Sequence, residues 1–73
     1  MAVPVLKPQE VVTILKALGF VEVRQRGSHK QFRHADGSGT TVPFHRGQDI
    51  RPALLRKIAR DIRMSAEDFI AVT

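Results

Sequence analysis

The chain has 73 residues, with 12 Lys and Arg against 7 Asp and Glu, a formal net charge of +5 and an isoelectric point near 10.8. A chain this short makes one domain, spanning 1–73, and buries only about 60% of its unfolded surface; having no cysteine, it has no disulfide or thiolate zinc site to reinforce that core. No apolar run approaches the roughly 20 residues of a membrane span, and Met1 to Leu6 lacks the charged start of a secretory leader. The expectation is a soluble, cytoplasmic protein without membrane contact, and the basic balance favours a polyanionic or an acidic protein partner.

Met1 to Leu6 is apolar without helical period and reads as a lead-in. Pro8 suits a first helical turn, where its missing N–H is not needed. Val11, Ile14, Leu15 and Leu18 follow as one apolar stripe, predicting a helix from Pro8 to Leu18. Gly19 stands where a left-handed cap belongs, with Phe20 able to fold back on Leu15. Phe20 to Gln25 alternates as a strand, and a turn at Arg26-Gly27 reverses it. A two-residue loop there sets Arg24 opposite His29, Val23 opposite Lys30 and Val21 opposite Phe32. Val21, Val23 and Phe32 then share a buried face, and Arg24 with His29 the open one.

Ala35 to Gly39 is a second turn, rich in turn-forming residues. Thr40 to Phe44 favours a strand, with Pro43 suggesting an edge. Pairing His34 with Thr40 sets Phe32 opposite Val42, Lys30 opposite Phe44 and His29 opposite His45. A second helix begins near Asp49 to Pro52, with Leu54, Leu55, Ile58 and Ile62 inward and Arg56, Lys57, Arg60 and Arg63 outward. Ser65, with Asp68 three residues on, starts a last short helix in which Phe69 and Val72 cover the core. The expected fold is α+β, in the order α-β-β-β-α, a three-stranded antiparallel sheet with helices on one face and the other face open.

Charge is placed rather than spread. Arg24 to His34 holds four Arg or Lys and two of the three histidines, with no acid between Glu22 and Asp36, whereas Met64 to Thr73 has two acids and no Lys or Arg. A histidine moves protons near neutral pH, and fixed cations hold an anionic backbone. His29, just past the bend and flanked by Arg24, Arg26 and Lys30, is therefore the candidate catalytic residue. His29 and His34 fall on opposite strand faces with no carboxylate near in sequence, which argues against a metal, and no cofactor motif is present. Ser28 beside His29 does not make a nucleophile pair, because neighbours on a strand point apart. Arg56, Lys57 and Arg60 form a cationic helix face suited to RNA backbone or an acidic protein. Four phenylalanines, with no tyrosine or tryptophan, argue against base stacking as the main binding mode.

The chain resembles the HicA toxins, small mRNA-cleaving partners of HicB antitoxins. The resemblance lies in Leu18-Gly19-Phe20, Gly27-Ser28-His29, Gly37, Thr41-Val42-Pro43-Phe44-His45, Leu55-Arg56-Lys57-Ile58 and Ser65 to Phe69. Two places differ: Ala53-Leu54 stands where many members carry Gly-Thr, and Ile62-Arg63 where many carry Ala-Gly. The resemblance implies a double-stranded-RNA-binding-like fold with the catalytic histidine in Gly-Ser-His, here His29.

The leading expectation is an mRNA interferase toxin, a metal-independent endoribonuclease without cofactor, silenced by a HicB-type antitoxin. His29 serves as base or acid; His45, brought beside it by the strand register, either shares the work or merely ends the third strand and binds phosphate or nothing. Arg24 and Lys30 hold phosphate, followed by Arg26, and Arg56, Lys57 and Arg60 extend RNA binding. The free toxin is expected to be a monomer that forms a hetero-oligomer with its antitoxin. The alternative is a non-catalytic double-stranded-RNA-binding module reading 2′-hydroxyls and phosphates; a purely protein-binding domain is third.

Overall fold

The computed structural model describes residues 3–45 and 47–72. Its elements run α1 (Pro8–Ala17), β1 (Val21–Arg26), β2 (His29–Arg33), β3 (Gly39–Pro43), α2 (Pro52–Asp61) and α3 (Ala66–Ile70). The strands form one antiparallel sheet in the order β1-β2-β3. This is the α-β-β-β-α arrangement of the double-stranded-RNA-binding-like fold, closed by a short C-terminal helix. Among the described residues no helix is long and apolar enough to cross a membrane.

The helices begin and end on local chemistry. Pro8 opens α1, and Glu10 Oε1 accepts from Lys7 N–H at 2.9 Å, supplying the carboxylate half of a capping box. At its far end Gly19, with φ 93°, donates to Lys16 O while Phe20 donates to Leu15 O, both at 3.0 Å. That is a Schellman closure, with Leu15 and Phe20 both buried as its hydrophobic clasp. A side chain at Gly19 would also press on His34 Nε2, only 3.1 Å from an added Cβ. Ser65 Oγ accepts from Asp68 N–H at 3.0 Å and caps α3.

Val11, Ile14, Leu15, Phe32, Val42, Leu55, Ile58 and Phe69 form the centre of one buried cluster between the sheet and the helices. In α2 the inward stripe is Leu55, Ile58, Ala59 and Ile62, with Leu54 only half-buried at its margin. The lead-in is held as well: Leu6 and Ile50 exchange two backbone hydrogen bonds, at 3.1 and 2.6 Å, and Val3 is buried. Met1 and Ala2 lie outside the described residues. Thr40, buried on β3, donates to Asp61 Oδ2 at 3.0 Å, and Lys57 Nζ meets the same oxygen at 3.1 Å. This bond pins the end of α2 to the sheet and satisfies a hydroxyl that burial would otherwise leave costly.

Both expected registers need correction. The first turn is Gly27-Ser28 rather than Arg26-Gly27, so Arg26 stands opposite His29, Gln25 opposite Lys30 and Arg24 opposite Gln31. Gly27, at φ 55°, is the first of two loop residues, the place where a type II′ hairpin turn takes glycine. Between Glu22 and Arg24 the ladder slips at a bulge, so Glu22 faces Phe32 and Val21 faces Arg33. The extra residue reverses the face that a simple alternation assigns to Val21. Val21 and Val23 are accordingly 59% and 52% exposed, and β1 is exposed along its length, because the helices pack over β3 and the buried side of β2. In the second hairpin Phe32 faces Thr40, Lys30 faces Val42 and His29 faces Pro43. The slip of two residues keeps every side chain on its expected face while changing its neighbour.

Candidate active site on the open sheet face

Residues opposite one another in an antiparallel pair point to the same side of the sheet. Phe32, Thr40 and Val42 point to the helices and are buried. The alternate set, His29, Gln31 and Arg33 on β2 with Arg24 and Arg26 on β1 and Thr41 on β3, therefore occupies the uncovered face. Four of these six are basic side chains or histidine, all exposed, and none of the six is an acid.

His45 lies two residues beyond the partner of His29, yet the chain returns it to the same place. Phe44 N–H donates to Ser28 O, extending the pairing past the strand end. Ser28 Oγ and His45 Nε2 are 2.7 Å apart, and the rings of His29 and His45 meet edge to face with centroids 6.4 Å apart. A hydroxyl can donate to a neutral imidazole nitrogen or accept from a protonated one. The Ser28 bond can thus orient His45 in both protonation states. Ser28 is a residue that sequence reasoning set aside as a nucleophile; its partner is His45, across the hairpin mouth, and not its neighbour His29. Gln31, Arg33 and Thr41 were also not singled out, although strict alternation from His29 would have found the first two.

The remaining expected residues fall elsewhere. Lys30 lies on the helix-facing side of β2, half-buried. Its ammonium is 3.5 Å from Glu22 Oε1 and 4.3 Å from the centre of the Phe44 ring, an ion pair and a cation–π contact. Arg56 and Arg60 are exposed on α2 and make no ion pair with another described residue, whereas Lys57 is paired with Asp61. Since α2 packs against the covered side of the sheet, the structure does not bring this helix face together with His29. His34, the third histidine, packs on Phe20 with centroids 5.0 Å apart and meets Asp36 at 3.2 Å. The Ser38 hydroxyl, then the Ser38 amide, and then His34 hold the Asp36 carboxyl below its ordinary value. That cluster serves the β2–β3 turn. Among the described residues no three His, Cys, Asp or Glu side chains converge as metal ligands.

The face combines two imidazoles within reach of one small group and two arginines beside them. Such an arrangement can hold an anion and move protons on either side of it. The family model described as the HicA toxin of bacterial toxin-antitoxin systems matches residues 8–64, which include every strand and both longer helices. A search of curated proteins finds no match.

Proposed function

The chain belongs to the HicA family, the toxins of bacterial toxin–antitoxin systems, and from that premise we propose that it is an endoribonuclease that cleaves mRNA without a metal and is silenced by a HicB-type antitoxin. The observation that supports this most directly is the His29–His45 pair, centroids 6.4 Å apart, on an uncovered cationic face.

In the proposed reaction one imidazole takes the proton from a ribose 2′-hydroxyl. That oxygen attacks the adjacent phosphorus, the bond from phosphorus to the 5′ oxygen breaks, and the second imidazole delivers a proton to the leaving oxygen. The products are a 2′,3′-cyclic phosphate and a free 5′-hydroxyl, so protons and bonds balance without a further reactant. Each positioned acid or base contributes roughly 10²- to 10⁴-fold. Ser28 is the positioning residue of His45. Arg26, across from His29, and Arg24 hold the phosphate. Lys30, already engaged by Glu22 and Phe44, acts by supporting the strand that carries His29.

The test is incubation of pure protein with single-stranded RNA in excess chelator. Cleavage by the wild type and its loss in His29→Ala support the reading. Tight binding of double-stranded RNA without cleavage would instead make the protein a shape-reading module.

A further inference from the structure

Beside His45 the fold makes a cavity of about 180 Å³, and nothing in the reaction just described uses it. The Leu6–Ile50 bridge holds the start of α1 against the segment that leads into α2. Between them the cavity is walled by Lys7, Gln9, Phe44, His45, Gln48 and Asp49. It is smaller than the roughly 300–1,000 Å³ of pockets that take drug-sized ligands, which fits one planar group better than a whole nucleotide. Phe44 supplies an apolar wall. Among the described residues the side chains of Gln9, Gln48 and Asp49 have no hydrogen-bond or ion-pair partner.

We propose that this cavity receives one unstacked nucleobase of the RNA, next to the phosphate held at His29 and His45, and that it selects guanine. The inference rests on the ribonuclease reading and adds specificity to it. His45 is at once a wall of the cavity and a member of the histidine pair. A base entering there belongs to a nucleotide joined to the reacting phosphate, on the His45 side of it. Single-stranded RNA is read on base edges once the bases are splayed out. Guanine presents adjacent N–H donors for the Asp49 carboxylate beside a carbonyl acceptor for a Gln48 or Gln9 amide or the Lys7 ammonium. Uracil has one donor between two acceptors and leaves the carboxylate short of partners. A well-matched edge discriminates by roughly ten- to a hundredfold.

The experiment uses uncleavable 2′-O-methyl RNA tetramers that differ at one position, titrated into the whole protein while backbone amide shifts are followed. Gln9, Gln48 and Asp49 report the cavity, and His29 and Gln31 report the sheet face. The expected result is that both sets move, that guanine at a single position binds at least tenfold tighter than uracil, and that Asp49→Asn removes the difference at that position alone. Movement of the sheet face with Gln48 and Asp49 unmoved overturns the proposal and leaves the RNA reading standing. A base preference that survives Asp49→Asn and Gln48→Ala overturns it equally. If neither set moves, both the subsite and the RNA reading fall.

Discussion

His29 and His45 are both exposed, so replacing either should leave the fold intact and act on the chemistry. His29→Ala should lower cleavage by about 10²- to 10⁴-fold at saturating RNA. Wild-type turnover should be bell-shaped in pH, since one imidazole must be neutral while the other is charged. His45→Gln should remove one limb of that bell, and Ser28→Ala should weaken turnover while keeping both limbs. A His45→Gln profile that overlays the wild type would leave His29 as the only histidine in the mechanism. Arg63 makes a different kind of test. It is the one described non-glycine residue with positive φ, at 63°, just past the end of α2. A side chain there costs about 1 kcal/mol, so Arg63→Gly should raise the unfolding free energy by about that amount, read as a higher denaturant midpoint at unchanged slope.

The strands divide into one that the core needs and one that it does not. Phe32 is 1% exposed at the centre of β2, and Phe32→Ala should cost about 3–5 kcal/mol through the cavity it leaves. Val21→Thr and Val23→Thr on β1 should stay within about 0.5 kcal/mol, because both valines already face solvent. Large losses at both valines in a chemical denaturation series would show that the bulge is misplaced. The β2–β3 turn has its own signature. The folded-state pKa of Asp36 lies below its ordinary value, so its contribution to stability is present above the unfolded value of about 3.9 and is lost as pH falls through the lower folded one. Asp36→Asn should flatten that acid limb in melting curves taken below about pH 4. The wild type and variant should run parallel at neutral pH.

Arg24, Arg26 and Arg33 stand on the open sheet face, and Arg56, Lys57 and Arg60 on the outer side of α2, so two separate surfaces of this chain of net charge +5 are cationic. Ligands that cover one need not touch the other. Arg56→Ala or Arg60→Ala should therefore weaken RNA or antitoxin binding while preserving turnover at saturating RNA. If RNA is the ligand, each should reduce the salt slope of binding by roughly 0.7–0.9. Loss of turnover with binding intact would place the reacting centre on the helix instead. The antitoxin, read as an acidic partner that covers the sheet face, should associate faster at low ionic strength, as opposite charges steer the encounter within a Debye length of about 10 Å at 0.1 M. Stopped-flow mixing across a salt series measures this directly, and a rate indifferent to salt would speak against electrostatic steering.

Where neighbouring residues decide a feature, the sequence alone was enough. Pro8, Gly19 with Phe20, and Ser65 with Asp68 each complete a cap within a few residues, so the helix ends were legible before any packing was known. The side taken by His29 was legible too, because Phe32, three residues on in the same strand, has to be buried. The sequence could not reveal how the strands slide on one another. A bulge adds one residue without changing composition, and this one turned Val21 outward and set Glu22 inward against Lys30. Nor could it show that Ser28 would reach His45 seventeen residues later, or that the Leu6–Ile50 bridge would build a cavity beside them. Those contacts join segments far apart in the chain, and only the balance of burial against backbone pairing over the whole core selects them.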